Sequence, residues 1–340
     1  MRRKNVFVEL SRIMFACLIL IHHYGALLPE KKWGGAAFAV QFFFILSGFM
    51  VGKSIKDTNY GLKNAINLMW KRFFSVWPLY VLCYFFVFLE RCIILHKQGY
   101  EWAVMLEHIP LNISELFMIQ NLLGIVSINA LSWYMSAWFV AGTVLSFGCW
   151  IVRNRLPRAE LYFCFFIPIF WYAYCQKREL FFNTTESYMG IMYGICGMCL
   201  GLGAYRIQQM WKDFLKWHYI VVDVLKIILL LLAVILTFIW TSPFMRYVIT
   251  AIETILCILM CTVESWIDKV VDKNWILFMG KMTFPIYLLQ VMPMLLYQLE
   301  VIPLRIFSRI YVPMTILFSL IVVVILEFCK YIIRVVQKCL

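Results

Sequence analysis

Charge is scarce in this chain. Asp, Glu, Lys and Arg supply 14% of its 340 residues, where a soluble domain carries about a quarter. A globular domain free in water is thereby excluded. Nucleotide-binding glycine signatures are missing too: neither GxGxxG nor GxxxxGKS/T occurs, which sets aside the dinucleotide and P-loop folds. No internal repeat is visible, and no second cysteine pair stands beside the CxxC of Cys196 and Cys199. The twelve cysteines lie mostly in apolar runs, as small hydrophobes do, so neither a metal site nor a disulfide framework is expected. No bound cofactor is expected either.

What the chain has instead is apolar length. Hydrophobic residues make up 64% of it, in runs that recur from end to end. About ten spans fit the pattern, at roughly 6–28, 35–52, 73–95, 131–152, 160–176, 188–205, 218–240, 244–266, 275–298 and 310–332. The expected fold is therefore an all-α, polytopic membrane helical bundle, one membrane-embedded domain over residues 1–340. The first run is no cleavable signal peptide, since it holds charges and further spans follow. Between spans four and three, residues 114–126 form a short amphipathic piece suited to the interface or to re-entry.

The net charge of +13 does not point to nucleic acid, because it sits in short loops. Arg2, Arg3, Lys4 and Arg12, then Lys53, Lys56, Lys63, Lys71 and Arg72, then Arg153, Arg155 and Arg158 fall on the N-terminal side. Later loops add eight more to that side, 20 in all, against nine on the opposite side. By the positive-inside rule both termini are cytoplasmic, in a cell (inner) membrane whose lipids are the constant partner.

The first span, Glu9 to Tyr24, carries Glu9, Arg12, His22 and His23. Ionisable groups in a bilayer cost on the order of 3 kcal/mol or more each, and persist with a partner or a task. Eleven steps at 100° leave Arg12 and His23 roughly 20° apart in phase and about 16 Å apart along the axis, whereas His22 points roughly 80° away. A neutral His23 can accept a proton; it can equally be a histidine hydrogen-bonded between helices. Arg12 can pair with Glu9 one turn before it, or snorkel.

Other stretches mix polar and aromatic groups. Lys71 and Arg72 stand beside Trp70, Phe73, Phe74 and Trp77. That mix suits a phosphate or an anionic headgroup, and equally suits plain anchoring. Ser132, Trp133, Tyr134 and Ser136 set two aromatic rings between hydroxyls, a surface for a sugar or lipid, or an interfacial belt. Glu253 is a buried carboxylate, either paired or protonated. Gly48 with Gly52, and Gly190, Gly194, Gly197 and Gly201, read as helix-packing faces.

Taken in order, these stretches resemble the integral-membrane acyltransferase family called acyltransferase 3. The resemblance rests on Glu9-Leu10-Ser11-Arg12 through His23, and on Phe43-Phe44-Ile45-Leu46-Ser47-Gly48-Phe49. It continues with Lys71-Arg72 through Pro78-Leu79-Tyr80, Ser132-Trp133-Tyr134-Met135-Ser136-Ala137, and Gly280 through Ile286-Tyr287-Leu288-Leu289. Ser75 stands where that pattern has a second Arg, and Gln290 where it has a His.

The resemblance implies an O-acyltransferase that takes an acyl group, usually acetyl, from cytoplasmic acyl-CoA as co-substrate. It would deliver the group to a hydroxyl of a sugar, glycan or glycolipid. His23 and Arg12 would then be catalytic, and Arg72 with Lys71 would bind the donor. Trp133, Tyr134, Ser136, Ser47 and Tyr287 would bind the acceptor or hold the motifs. The residues alone leave open a glycan or lipid transporter with Arg12, His23 and Glu253 as its polar path, and a family member that has lost its activity.

Overall fold

The computed structural model describes residues 5–27, 38–55, 60–101, 109–125, 127–155, 159–177, 187–239, 243–260 and 273–339. Arg2, Arg3, Lys4, Lys56 and Arg158, which carry part of the expected orientation, lie outside them.

Among the described residues the chain is helical and has no strand. The helices are α1 (Val6–Ala26), α2 (Ala39–Ser54), α3 (Leu62–Lys97), α4 (Ile109–Leu116) and α5 (Gln120–Leu123). After a 3₁₀ turn at Ala130–Ser132 come α6 (Trp133–Arg155), α7 (Ala159–Lys177), α8 (Ser187–Met210), α9 (Lys212–Trp217) and α10 (Tyr219–Ile239). The last are α11 (Pro243–Met260), α12 (Lys273–Leu289), α13 (Val291–Gln298) and α14 (Leu304–Cys339).

Seven membrane-crossing segments are long and apolar enough among the described residues, with α12 and α13 counted as one. A sequence count of about ten adds α2, α7 and α11 to these.

Local signals set several ends. The Asn5 side chain accepts from Val8 N at 3.1 Å and so starts α1, while its amide donates to the Met260 carbonyl at 2.9 Å. α3 begins eleven residues before the apolar run, because Leu62–Arg72 is an amphipathic helix with Lys63, Asn64 and Asn67 on it. Pro78, Pro168, Pro285 and Pro313 sit inside helices, as membrane bundles tolerate where neighbours satisfy the freed carbonyls.

Helix α8 is the most enclosed span, packed against α2, α6 and α7. Two glycines make this possible. A Cβ on Gly48 would collide with the Met198 backbone, and one on Gly201 with the Ile45 carbonyl. At these two positions the expected small-residue faces are backbone-to-backbone contacts between α2 and α8, whereas Gly52 meets the Leu202 and Tyr205 side chains and Gly190 meets Trp133 of α6. Cys196 and Cys199 are buried thiols that form no disulfide. On the opposite flank, α1 packs along α12, and α12 along α14.

The amphipathic stretch folds into α4 and α5 with Glu115, Gln120 and Asn121 buried. Glu115 is its hub. Its carboxylate accepts from Ile128 N at 2.7 Å, Asn129 N at 3.3 Å and Ser132 Oγ at 2.7 Å. Burial pushes this carboxyl up to about 7, against the pull of those three donors and of the more distant Arg91.

Candidate functional site

Between α1, α2, α3, α6, α12 and α14 lies a cavity of about 640 Å³, within the range of small-molecule sites. Helix α1 offers it one stripe: Val8, Glu9, Arg12, Ala16 and Ile19. The opposite walls hold Ser47 from α2, Arg72 and Ser75 from α3, Tyr134 and Trp138 from α6, and Thr283 and Tyr287 from α12. Lys281, Glu327 and Lys330 complete the lining near Arg12 and Glu9. The lining is thus polar around Glu9, Arg12 and Arg72 and apolar at Ile19, Val40 and Phe43, with Tyr134 near both arginines.

Arg12 is held from two helices. Its Nη1 donates to Glu9 Oε2 at 2.7 Å and its Nη2 to Thr283 Oγ1 at 3.2 Å. Glu9 is buried and lies so close to α12 that a Cβ on Gly280 would strike its carboxylate. The i, i+3 pairing expected from ELSR is therefore formed, and it is locked by α12.

Arg72 is oriented by stacking. Its guanidinium lies 4.3 Å from the centroid of Trp138 and donates to Ser47 Oγ at 3.0 Å. Trp138 Nε1 donates to the same Ser47 oxygen at 2.7 Å. Ser47, met in sequence only as part of a motif, is thus the common acceptor that fixes both groups. Arg72 Nε is buried without a hydrogen-bond partner, a donor left over in the cavity wall.

The remaining expected residues divide. Tyr134 faces the cavity and packs edge-on to Tyr287 at 5.4 Å. The Tyr287 hydroxyl donates to the Leu131 carbonyl at 2.7 Å, which ties α12 to the turn before α6. Trp133 turns the other way, toward Gly190 of α8. Ser136 is buried and accepts from Asn121 N at 3.1 Å. Lys71 is exposed and outside the cavity. Glu253 is fully buried in α11, where neither carboxylate oxygen has a hydrogen-bond partner.

Gln290, at the position where the resemblance has a His, is a satisfied core amide. It donates to the Tyr287 carbonyl at 2.9 Å and faces the Tyr311 hydroxyl at 3.1 Å.

His23 lies beyond the lining. The α1 stripe ends at Ile19, and His23 is four residues on, about 6 Å along the axis. In phase it falls within roughly 15° of the mean direction of that stripe, against roughly 90° for His22. The His23 ring lies 5.2 Å from that of His22 in an edge contact. It continues the line of the cavity past its apolar end.

Sequence reasoning missed Trp138, Thr283, Lys281, Glu327 and Lys330. Glu327 and Lys330 do carry a signal, an i, i+3 acid–base pair near the end of an apolar span. Among the described residues no group of His, Cys, Asp and Glu is placed to hold a metal ion.

A family model described as an acyltransferase domain matches residues 5–328 of the chain. No curated protein and no solved structure matches it.

Proposed function

The chain belongs to the acyltransferase 3 family of membrane acyltransferases, and from that premise we propose that it moves an acetyl group from acetyl-CoA to a hydroxyl of an exported or cell-surface glycan. The observation that carries this reading is the make-up of the cavity: Arg12 and Arg72 in its wall with Tyr134 and Trp138 beside them, and His23 outside the lining, one turn past Ile19 on the same face of α1.

The two arginines are fixed before any ligand arrives, Arg12 by Glu9 and Thr283, Arg72 by Ser47 and Trp138. Pre-set guanidinium groups suit phosphate oxygens, since their forks need no reorganisation on binding. A donor held there by its phosphates would lay its pantetheine arm along Tyr134 and Tyr287, with the thioester toward Ile19 and His23. The separation of about 16 Å between Arg12 and His23 supports a donor-holding role for Arg12 rather than contact with the reacting carbonyl.

At the far end, neutral His23 would take the proton from the acceptor hydroxyl as its oxygen attacks the thioester carbonyl. The tetrahedral intermediate would collapse by breaking the C–S bond. The proton on His23 would return to the departing thiolate, leaving an ester and free CoA. Lys71, exposed and outside the cavity, has no part in this reading, and Trp133 and Ser136 hold the motif in place.

Membranes holding the protein, given acetyl-CoA labelled in the acetyl group, test it. Label should appear as an ester on glycan, and His23→Ala at equal protein level should lose it. Label that stays in CoA with every glycan acceptor supplied overturns the reading.

A further inference from the structure

Three ionic groups at the polar end of the cavity are left unused by this mechanism. Lys281 on α12 and Lys330 on α14 both reach Glu327, at 3.3 and 3.2 Å. All three line the cavity, and their side chains are 46%, 56% and 44% exposed, which puts them at its mouth.

The charge balance there is uneven. The lining holds four cations, Arg12, Arg72, Lys281 and Lys330, against the two carboxylates of Glu9 and Glu327. Glu9 is committed to Arg12 at a buried contact. Glu327 alone serves two ammonium groups, and Ser75, also in the wall, adds only a hydroxyl that donates to the Arg72 carbonyl at 2.7 Å. Half-exposed pairs of this kind contribute about 0–1 kcal/mol each. Two lysines on different helices are therefore gathered at the mouth by a carboxylate that a stronger anion can displace at little cost.

We propose that Lys281 and Lys330 form a phosphate-binding position for the acyl-CoA donor, in which Glu327 is the resident counter-ion that the incoming phosphate replaces. This rests on the acetyl-CoA reading above. It adds to it a second anionic subsite, outside that of Arg12 and Arg72, suited to a donor bearing more than one phosphate group. Occupation would draw Lys281 and Lys330 onto the ligand and free Glu327, so α12 and α14 would be bridged by the donor instead of by the acid.

The sign of the Glu327 effect separates this from a purely structural role. If the Lys281–Glu327 pair only braces α12 against α14, Glu327→Gln loosens the cavity and weakens binding. If Glu327 competes with phosphate, its removal tightens binding.

Equilibrium binding of labelled CoA to the full-length protein in lipid nanodiscs decides it. Lys281→Gln and Lys330→Gln should each raise Kd about tenfold, the effect of losing one charge-assisted hydrogen bond. Glu327→Gln should lower Kd severalfold, and Lys281→Arg should restore most of what Lys281→Gln loses. Thermal unfolding of each variant shows that the fold is kept. Wild-type affinity in both Lys→Gln variants, or weaker binding in Glu327→Gln, overturns the proposal while leaving the donor reading in place. Wild-type protein that binds no CoA overturns both.

Discussion

At the scale of single residues, the cavity separates groups that look alike in sequence. Lys71 and Arg72 are adjacent cations, yet only Arg72 enters, where Trp138 and Ser47 hold it. A planar fork stacked on an indole is not replaceable by an ammonium. Arg72→Lys should therefore raise KM for acyl-CoA about tenfold with kcat little changed, while Lys71→Ala leaves both parameters near wild type. Steady-state kinetics on membranes checks this; equal effects of the two would mean that the stack does not matter.

Glu115 gives a second residue-level expectation. Its folded-state value of about 7 lies above the ordinary carboxylate value of 4.5, so between those values the folded protein holds more protons than the unfolded chain. Stability supplied by the protonated carboxyl is present below about pH 4.5 and is lost as pH rises toward 7. Thermal midpoints in detergent should fall by a few degrees across that window, and Glu115→Gln should flatten the fall. An unchanged slope in that variant would assign the pH dependence to another group.

At the scale of helices, the close approach of α1 to α12 holds the polar end together. Gly280 gives Glu9 the room to reach Arg12, and α12 also supplies Thr283 to the same guanidinium. Gly280→Ala should cost about 1–3 kcal/mol, as overpacking does, and should raise KM for the donor along with it. Unfolding curves and donor kinetics on one preparation test the two effects together; a stable variant with normal KM would show that Glu9 has other room.

The helices themselves were largely legible in the sequence, since among the described residues each expected span overlaps a helix, while 261–266 of the eighth span lie outside them. The extent of α3 was not, because its first turns are polar on one side and escape a count of apolar residues. The pairing of Glu9 with Arg12 was readable from local spacing. The grip of Thr283 on Arg12, of Trp138 on Arg72, and of Glu327 on Lys281 joins residues far apart in sequence. No periodicity in one helix encodes such contacts. The direction of Trp133 was illegible for the same reason: two neighbouring aromatic residues on a helix face different partners, and only packing says which.

The whole molecule is a polytopic helical acyltransferase, and on the proposed reading its cavity would hold the donor between two ends with different tasks. The polar end would grip phosphate through guanidinium groups already held by hydrogen bonds, and the apolar end would lead to a histidine one turn past the lining. This division predicts opposite kinetic signatures for opposite ends.

The most direct measurement is therefore acetyl transfer from labelled acetyl-CoA by wild type, Arg72→Ala and His23→Ala at matched protein levels, with kcat and KM for the donor taken separately. Arg72→Ala should raise KM by tenfold or more and spare most of kcat. His23→Ala should lower kcat by about a hundredfold or more, the usual contribution of a general base, with KM for the donor little changed. A His23→Ala protein that transfers acetyl at the wild-type rate would contradict the account at its centre.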